Sequence, residues 1–203
     1  MIESLTEYWY MWLVLVVLIV ITVFAMKKAS AAVKKHNAVI RQQEEEMKRY
    51  KFLLDKYSDI TAEAASECDG AELTEGVTAV LQRQIEKAVH LNEEFENAEE
   101  WRRIVYSLYY FAEDTETSLS FFFKNNGEPI PSLAVKGVKA IGAENEKKLI
   151  PVVSSQYAMF DEKNETVSVD RDKIAELDDK FNEIFDKSRF FESVKQYIIS
   201  NLS

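Results

Sequence analysis

Apolar and polar positions along the chain fall into three regimes. The first is Tyr8–Met26, an uncharged run of 19 residues, YWYMWLVLVVLIVITVFAM. At about 1.5 Å rise per residue such a helix extends roughly 28 Å, near the hydrocarbon thickness of a bilayer. Tyr8, Trp9, Tyr10 and Trp12 supply the amphipathic aromatics favoured at headgroup level. A buried core helix is the alternative, but such helices are rarely apolar on every face. A secretory signal peptide would begin with positive charge and end in small residues before a cleavage site. This chain begins with Glu3 and Glu7, and Ala29-Ser30-Ala31-Ala32 lies beyond the pair Lys27-Lys28. The expectation is an uncleaved transmembrane helix over 8–26. The lysines after Met26 then put the C-terminal part in the cytoplasm and residues 1–7 outside, in a single-pass protein of the inner (cytoplasmic) membrane.

The second regime, 27–65, has no Gly and no Pro. Val33, Ile40, Met47 and Leu54 recur every seven residues, with His36, Gln43, Tyr50 and Tyr57 in the companion positions. This is half a coiled-coil seam, one column apolar and the other apolar only at its far end. Glu44–Glu46 followed by Lys48, Arg49 and Lys51 allow i,i+4 pairs on a solvated face. The pattern predicts a helical stalk that either pairs with a second copy or folds back through Tyr50, Leu53, Leu54 and Tyr57.

The third regime, 66–203, alternates amphipathic helices with breaks. Asp69-Gly70 and Gly76 interrupt the helical pattern, and Val77–Leu91 resumes it. A long helix is expected over 98–124, ended by Asn125-Asn126-Gly127. Ser132 is the expected N-cap of a helix through Ile141, closed by Gly142. Pro151 is expected to kink or delay a helix over 144–160. A loop follows over 161–172, with a short strand at 166–169, then helices over 173–186 and 189–201. The fold class is all-α: an N-terminal transmembrane helix, a helical stalk and a compact helical-bundle domain.

Charge separates these regimes. Residues 1–65 carry 9 Lys+Arg against 8 Asp+Glu, and 66–203 carry 16 against 27, net −11 within the chain's −10. An acidic domain repels phosphates, so direct nucleic-acid binding is disfavoured and a basic protein partner is favoured. Acidity that only keeps the domain soluble is the plain alternative. Two carboxylate groups are dense enough to serve as partner-binding candidates: Glu93, Glu94, Glu96, Glu99 and Glu100, and Asp170, Asp172, Glu176, Asp178 and Asp179. Carboxylates at i,i+3 and i,i+4 have Cβ atoms roughly 5–6 Å apart, a coarse match to neighbouring phosphates. Acidic residues at helix starts also favour the macrodipole without any partner.

Catalytic chemistry finds no footing. His90 reads as a surface or core-edge residue on a helix, Cys68, the only cysteine, lacks an identifiable base partner, and there is no zinc spacing, phosphate loop or nucleophile elbow. No enzyme activity, catalytic residue, metal site or cofactor is expected. A single cysteine excludes an intrachain disulfide, as in a reducing compartment, and leaves the Asn164 sequon without meaning there.

Three segments are similar, in order, to the bacterial DNA-mimic-protein domain family, over about 101–202. They are Glu113–Asn125 (EDTETSLSFFFKN), Leu133–Ala143 (LAVKGVKAIGA) and Ile174–Ile184 (IAELDDKFNEI). Glu113, Phe122, Phe123 and Asn125 match the family's first motif. Glu116-Thr117-Ser118-Leu119 stands where the family has Asn-Gly-Gly-Phe, and Phe121 where it has Gln. The resemblance implies a helical fold, self-association, and an acidic surface that occupies the DNA-binding face of a regulator. The functional expectation is a membrane-anchored acidic interaction module of decoy type. The alternative is a structural membrane scaffold, a homodimer through its stalk, that mimics nothing.

Overall fold

A computed structural model describes residues 9–141, 146–160 and 170–203. The tail 1–7, the closing Gly142, most of the 161–172 loop and the strand expected at 166–169 lie outside the described residues. Among those described, ten α-helices account for the secondary structure, and no strand is present. They are α1 (Trp9–Tyr57), α2 (Ala62–Glu67), α3 (Gly70–Lys87), α4 (Leu91–Asn97), α5 (Glu100–Asp114), α6 (Leu119–Asn125), α7 (Ile130–Ala140), α8 (Glu146–Phe160), α9 (Arg171–Ile184) and α10 (Lys187–Leu202). The chain divides into two compact units, 1–50 and 51–203.

Within the first unit the membrane expectation is overturned. Among the described residues no helix is long and apolar enough to cross a membrane. The transmembrane helix over 8–26, the single-pass topology and the inner-membrane location fall with it. The apolar run is not an element of its own. It opens a helix of 49 residues whose later turns carry Arg41, Glu44–Glu46 and Lys48.

The second unit is built around α5, which packs against α3, α6, α7 and α10. Its buried positions Ile104, Val105, Leu108, Phe111 and Ala112 recur at helical spacing. Phe111 is fully buried and its ring lies 5.2 Å from Phe122, 5.7 Å from Phe181, 6.2 Å from Phe185 and 5.6 Å from Phe190. This cluster joins α5, α6 and α10 with α9 and its C-cap Phe185. Three contacts are edge-to-face, the arrangement the ring quadrupole favours. Each such buried aromatic contributes on the order of 2–3 kcal/mol by area alone.

Two close approaches fix helix spacing. Tyr57, at the end of α1, is 1% exposed, and its ring occupies the space a Cβ on Gly76 would need, 2.0 Å away. Gly76 therefore sits inside α3 rather than breaking it, at a helix-propensity cost of about 1 kcal/mol relative to Ala. At Gly137 a Cβ would come within 2.8 Å of Leu108, so this glycine lets α7 pack closely on α5.

The element boundaries depart from the sequence pattern at several places: the stalk helix ends at Tyr57 with α2 separate, and the Val77–Leu91 helix ends at Lys87, Leu91 opening α4. The expected 98–124 helix is two helices, broken at Thr115–Ser118. Thr115 bonds back to the Phe111 carbonyl at 2.7 Å, and Ser118 caps α6 by accepting from the Phe121 N–H at 3.0 Å. Ser and Thr hydroxyls that compete for backbone groups end one helix and start the next. Ser132 is no N-cap: α7 starts at Ile130, and the Ser132 hydroxyl donates to the Pro129 carbonyl. Helix α3 starts at Gly70, because Asp69 accepts from the N–H groups of both Ala71 and Glu72.

Candidate functional site

The first acidic group is held by the short helix α4 and the start of α5. Phe95 is the inward anchor of α4, 9% exposed, its ring 5.5 Å from Tyr106. With Phe95 pointing inward, Glu93, Glu94 and Glu96 are exposed. Glu99 and Glu100 differ. Glu99 accepts from the Arg102 guanidinium at 2.8 Å, and Glu100 pairs with Lys136 of α7. The Lys136 hydrogen bond and charge hold the Glu100 carboxyl below the usual range. Among the described residues, Glu93, Glu94 and Glu96 make no ion pair. The exposed apolar residues Val89 and Leu91 lie just before them.

The second acidic group does not form one surface. Asp170 caps α9, accepting from the N–H groups of Asp172 and Lys173 at 3.2 Å each. Glu176 pairs with Lys180 at 2.5 Å, and that lysine lowers its pKa. Asp178 turns inward and accepts from both the N–H and the hydroxyl of Ser120, at 2.7 and 2.6 Å. Asp172 and Asp179 remain as exposed carboxylates.

The four motif positions also have separate surroundings. Phe122 and Phe123 are buried in the core. Glu113 pairs with Lys187 at 2.8 Å, and Glu116 reaches the same lysine at 2.5 Å. Asn125 is exposed at the end of α6. Its neighbour Asn126 makes the contacts, donating to the Asp114 carboxylate at 2.7 Å and the Phe122 carbonyl at 2.9 Å. Lys187, Asn126 and Ser120 were not singled out by sequence reasoning. Each acts across a long sequence separation or through a helix break that periodicity does not reveal.

Other chemistry is sparse. The Cys68 thiol donates to the Ala64 carbonyl at 3.3 Å, and His90 and His36 are exposed. No group of three His, Cys, Asp or Glu residues among those described could hold a metal ion. A cleft of about 210 Å³ between α8, α9 and α10 is lined by both charge signs, Lys148 and Arg189 with Glu183 and Asp186, and selects no ligand charge. Gln156 in α8 is fully buried, and among the described residues neither its amide oxygen nor its nitrogen has a hydrogen-bond partner. No family model, curated protein or solved structure matches the chain.

Proposed function

We propose that this chain is a non-catalytic interaction module whose acidic surface binds a basic protein surface. The observation that carries the reading is the outward set Glu93, Glu94 and Glu96, fixed on a helix pinned by Phe95 and not neutralised by any ion pair among the described residues. It lies in a segment of net charge −11. Glu93 and Glu96 are one helical turn apart, so their spacing approaches that of adjacent phosphates. A decoy role, with a nucleic-acid-binding protein as the partner, is what the resemblance of 101–202 to the DNA-mimic-protein domain family implies, although the outward set precedes that stretch. The same charge opposes direct nucleic-acid binding. Asp170 and Asp178 stand outside the binding set, since their oxygens already serve the fold.

The test is E93Q/E94Q/E96Q, which removes three charges and leaves the Glu99 and Glu100 ion pairs in place. Association with a lysine-rich peptide, and with basic proteins captured by the full chain, is measured from low to high salt. The variant is expected to associate more slowly and with a flatter salt dependence, since rim charges act mainly on the on-rate. Unchanged rates and an unchanged salt slope would remove the reading's physical basis.

A further inference from the structure

Large apolar side chains exposed among the described residues are concentrated on one helix. Eighteen of them lie on α1, while Val89, Leu91 and Phe121 are the remaining three. Monomeric proteins rarely expose a contiguous apolar patch beyond a few hundred Å², so α1 needs a covering surface. Its pattern indicates what that surface is. The seven-residue column seen at Val33, Ile40 and Met47 extends without interruption in both directions, through Met26, Ile19 and Trp12 on one side and Leu54 on the other. Six of the seven are exposed: Trp12 58%, Ile19 54%, Met26 66%, Val33 57%, Ile40 38% and Met47 55%. A strict seven-residue repeat is out of step with the 3.6-residue turn and stays on one line only where helices supercoil.

We propose that α1 is a self-association helix, pairing in parallel and in register with α1 of a second copy through this column. Three observations select that occupant. First, a stable interface buries roughly 800 Å² per partner over about 20–30 residues, and the column with its flanking positions runs along the 49 residues of α1, with six of its seven members exposed. Second, the helix is asymmetric. Met11–Ile21 is apolar throughout, whereas Arg41–Lys51 is mostly charged or polar. Parallel pairing sets the apolar column against itself and the apolar half against the apolar half, with the polar halves together. A full-length antiparallel pair would lay the charged half on the apolar half, and a shorter overlap would leave Val33, Ile40 and Met47 bare. Third, in the parallel register Glu46 of one chain lies at the position that faces Lys51 of the other, an attractive flanking pair. Val and Ile at Ile19, Val33 and Ile40 favour two strands at such positions. Pairing would also present two acidic surfaces per assembly and raise avidity for a repeated basic partner. It does not depend on the acidic reading.

The test is cysteine cross-linking of the full chain in the cells that express it, in a Cys68→Ser background. Ile40→Cys and Met47→Cys lie on the column, and Ala38→Cys and Glu45→Cys lie on the opposite face. With a short bismaleimide, the column variants should form covalent dimer at least about ten-fold more than the others, since parallel in-register pairing brings identical positions together. Adding Glu at the other column position, as in I40C/M47E, should abolish the product. Both sites are exposed in the single chain, so its fold should survive and circular dichroism should be unchanged. Equal or absent cross-linking at all four positions would overturn the proposal. So would a monomeric full chain that partitions onto phosphatidylcholine vesicles, which would assign the apolar face to lipid.

Discussion

Asp178 holds Ser120 with both carboxylate oxygens, one on its backbone N–H at 2.7 Å and one on its hydroxyl at 2.6 Å. Ser120 lies in the first turn of α6, where N–H groups have no partner within the helix. The contact therefore caps one helix from the middle of another. Asp178→Ala should destabilise the chain by about 2–3 kcal/mol, the range for losing charge-assisted hydrogen bonds at a partly buried site. Ser120→Ala keeps the backbone bond and should cost about 1 kcal/mol. Urea unfolding of both variants and the double variant measures the coupling, and independent effects would show that the two residues do not act together.

Gly76→Ala tests how firmly Tyr57 is seated. On propensity alone Ala would stabilise α3 by about 1 kcal/mol. The new Cβ would lie 2.0 Å from the Tyr57 ring, and forcing that ring aside should cost about 1–3 kcal/mol. A lower urea midpoint is expected. A higher midpoint would place the ring elsewhere.

High pH should weaken the fold. Burial and the bond to Glu72 raise the Tyr57 phenol, and burial and the bond to Tyr110 raise that of Tyr106. Burial lowers Lys187, but its bonds to Glu113 and Glu116 outweigh this and leave it raised. All three hold their protons more tightly folded than unfolded. Their contribution is therefore complete below the unfolded values of about 10 and is lost as pH rises through the folded ones. Urea midpoints should fall above about pH 10, and less steeply in Tyr57→Phe. A midpoint that rises in that range would contradict these environments.

Gln156→Met should stabilise the chain by about 1–2 kcal/mol. It keeps a similar volume and removes a buried amide that has no partner among the described residues. Thermal and urea melts give the sign. A loss of stability would mean that the amide is satisfied by bound water.

The all-helical character of 66–203 was legible because apolar residues recur every three or four positions, as in Ile104, Leu108, Phe111 and Ala112. Helix from residue 27 on was legible from the seven-residue column, but its end at Tyr57, short of the expected 65, was not. The break at Thr115–Ser118 was not, because the apolar spacing continues across it and only hydroxyl bonding ends the helix. The two acidic groups looked alike in sequence and differ in the fold. Nothing local separates Asp178, which faces α6, from Asp179, which faces outward. The apolar run suggested a membrane span when counted alone, but among the described residues no helix is long and apolar enough to cross a membrane.

The ring cluster around Phe111 also bears on how the domain forms. Phe111, Phe122, Phe181, Phe185 and Phe190 come from four regions of the chain, and the cluster closes only when the C-terminal helices return to α5. Loop-closure entropy must be overcome before those contacts are gained. Helices α3 to α7 can form locally, but the rings of Phe111 on α5 and Phe122 on α6 stay open until α9 and α10 arrive. On a ribosome, the nascent domain therefore carries an uncovered aromatic surface until its last residues emerge, and a chain cut short before Phe190 should be retained by chaperones.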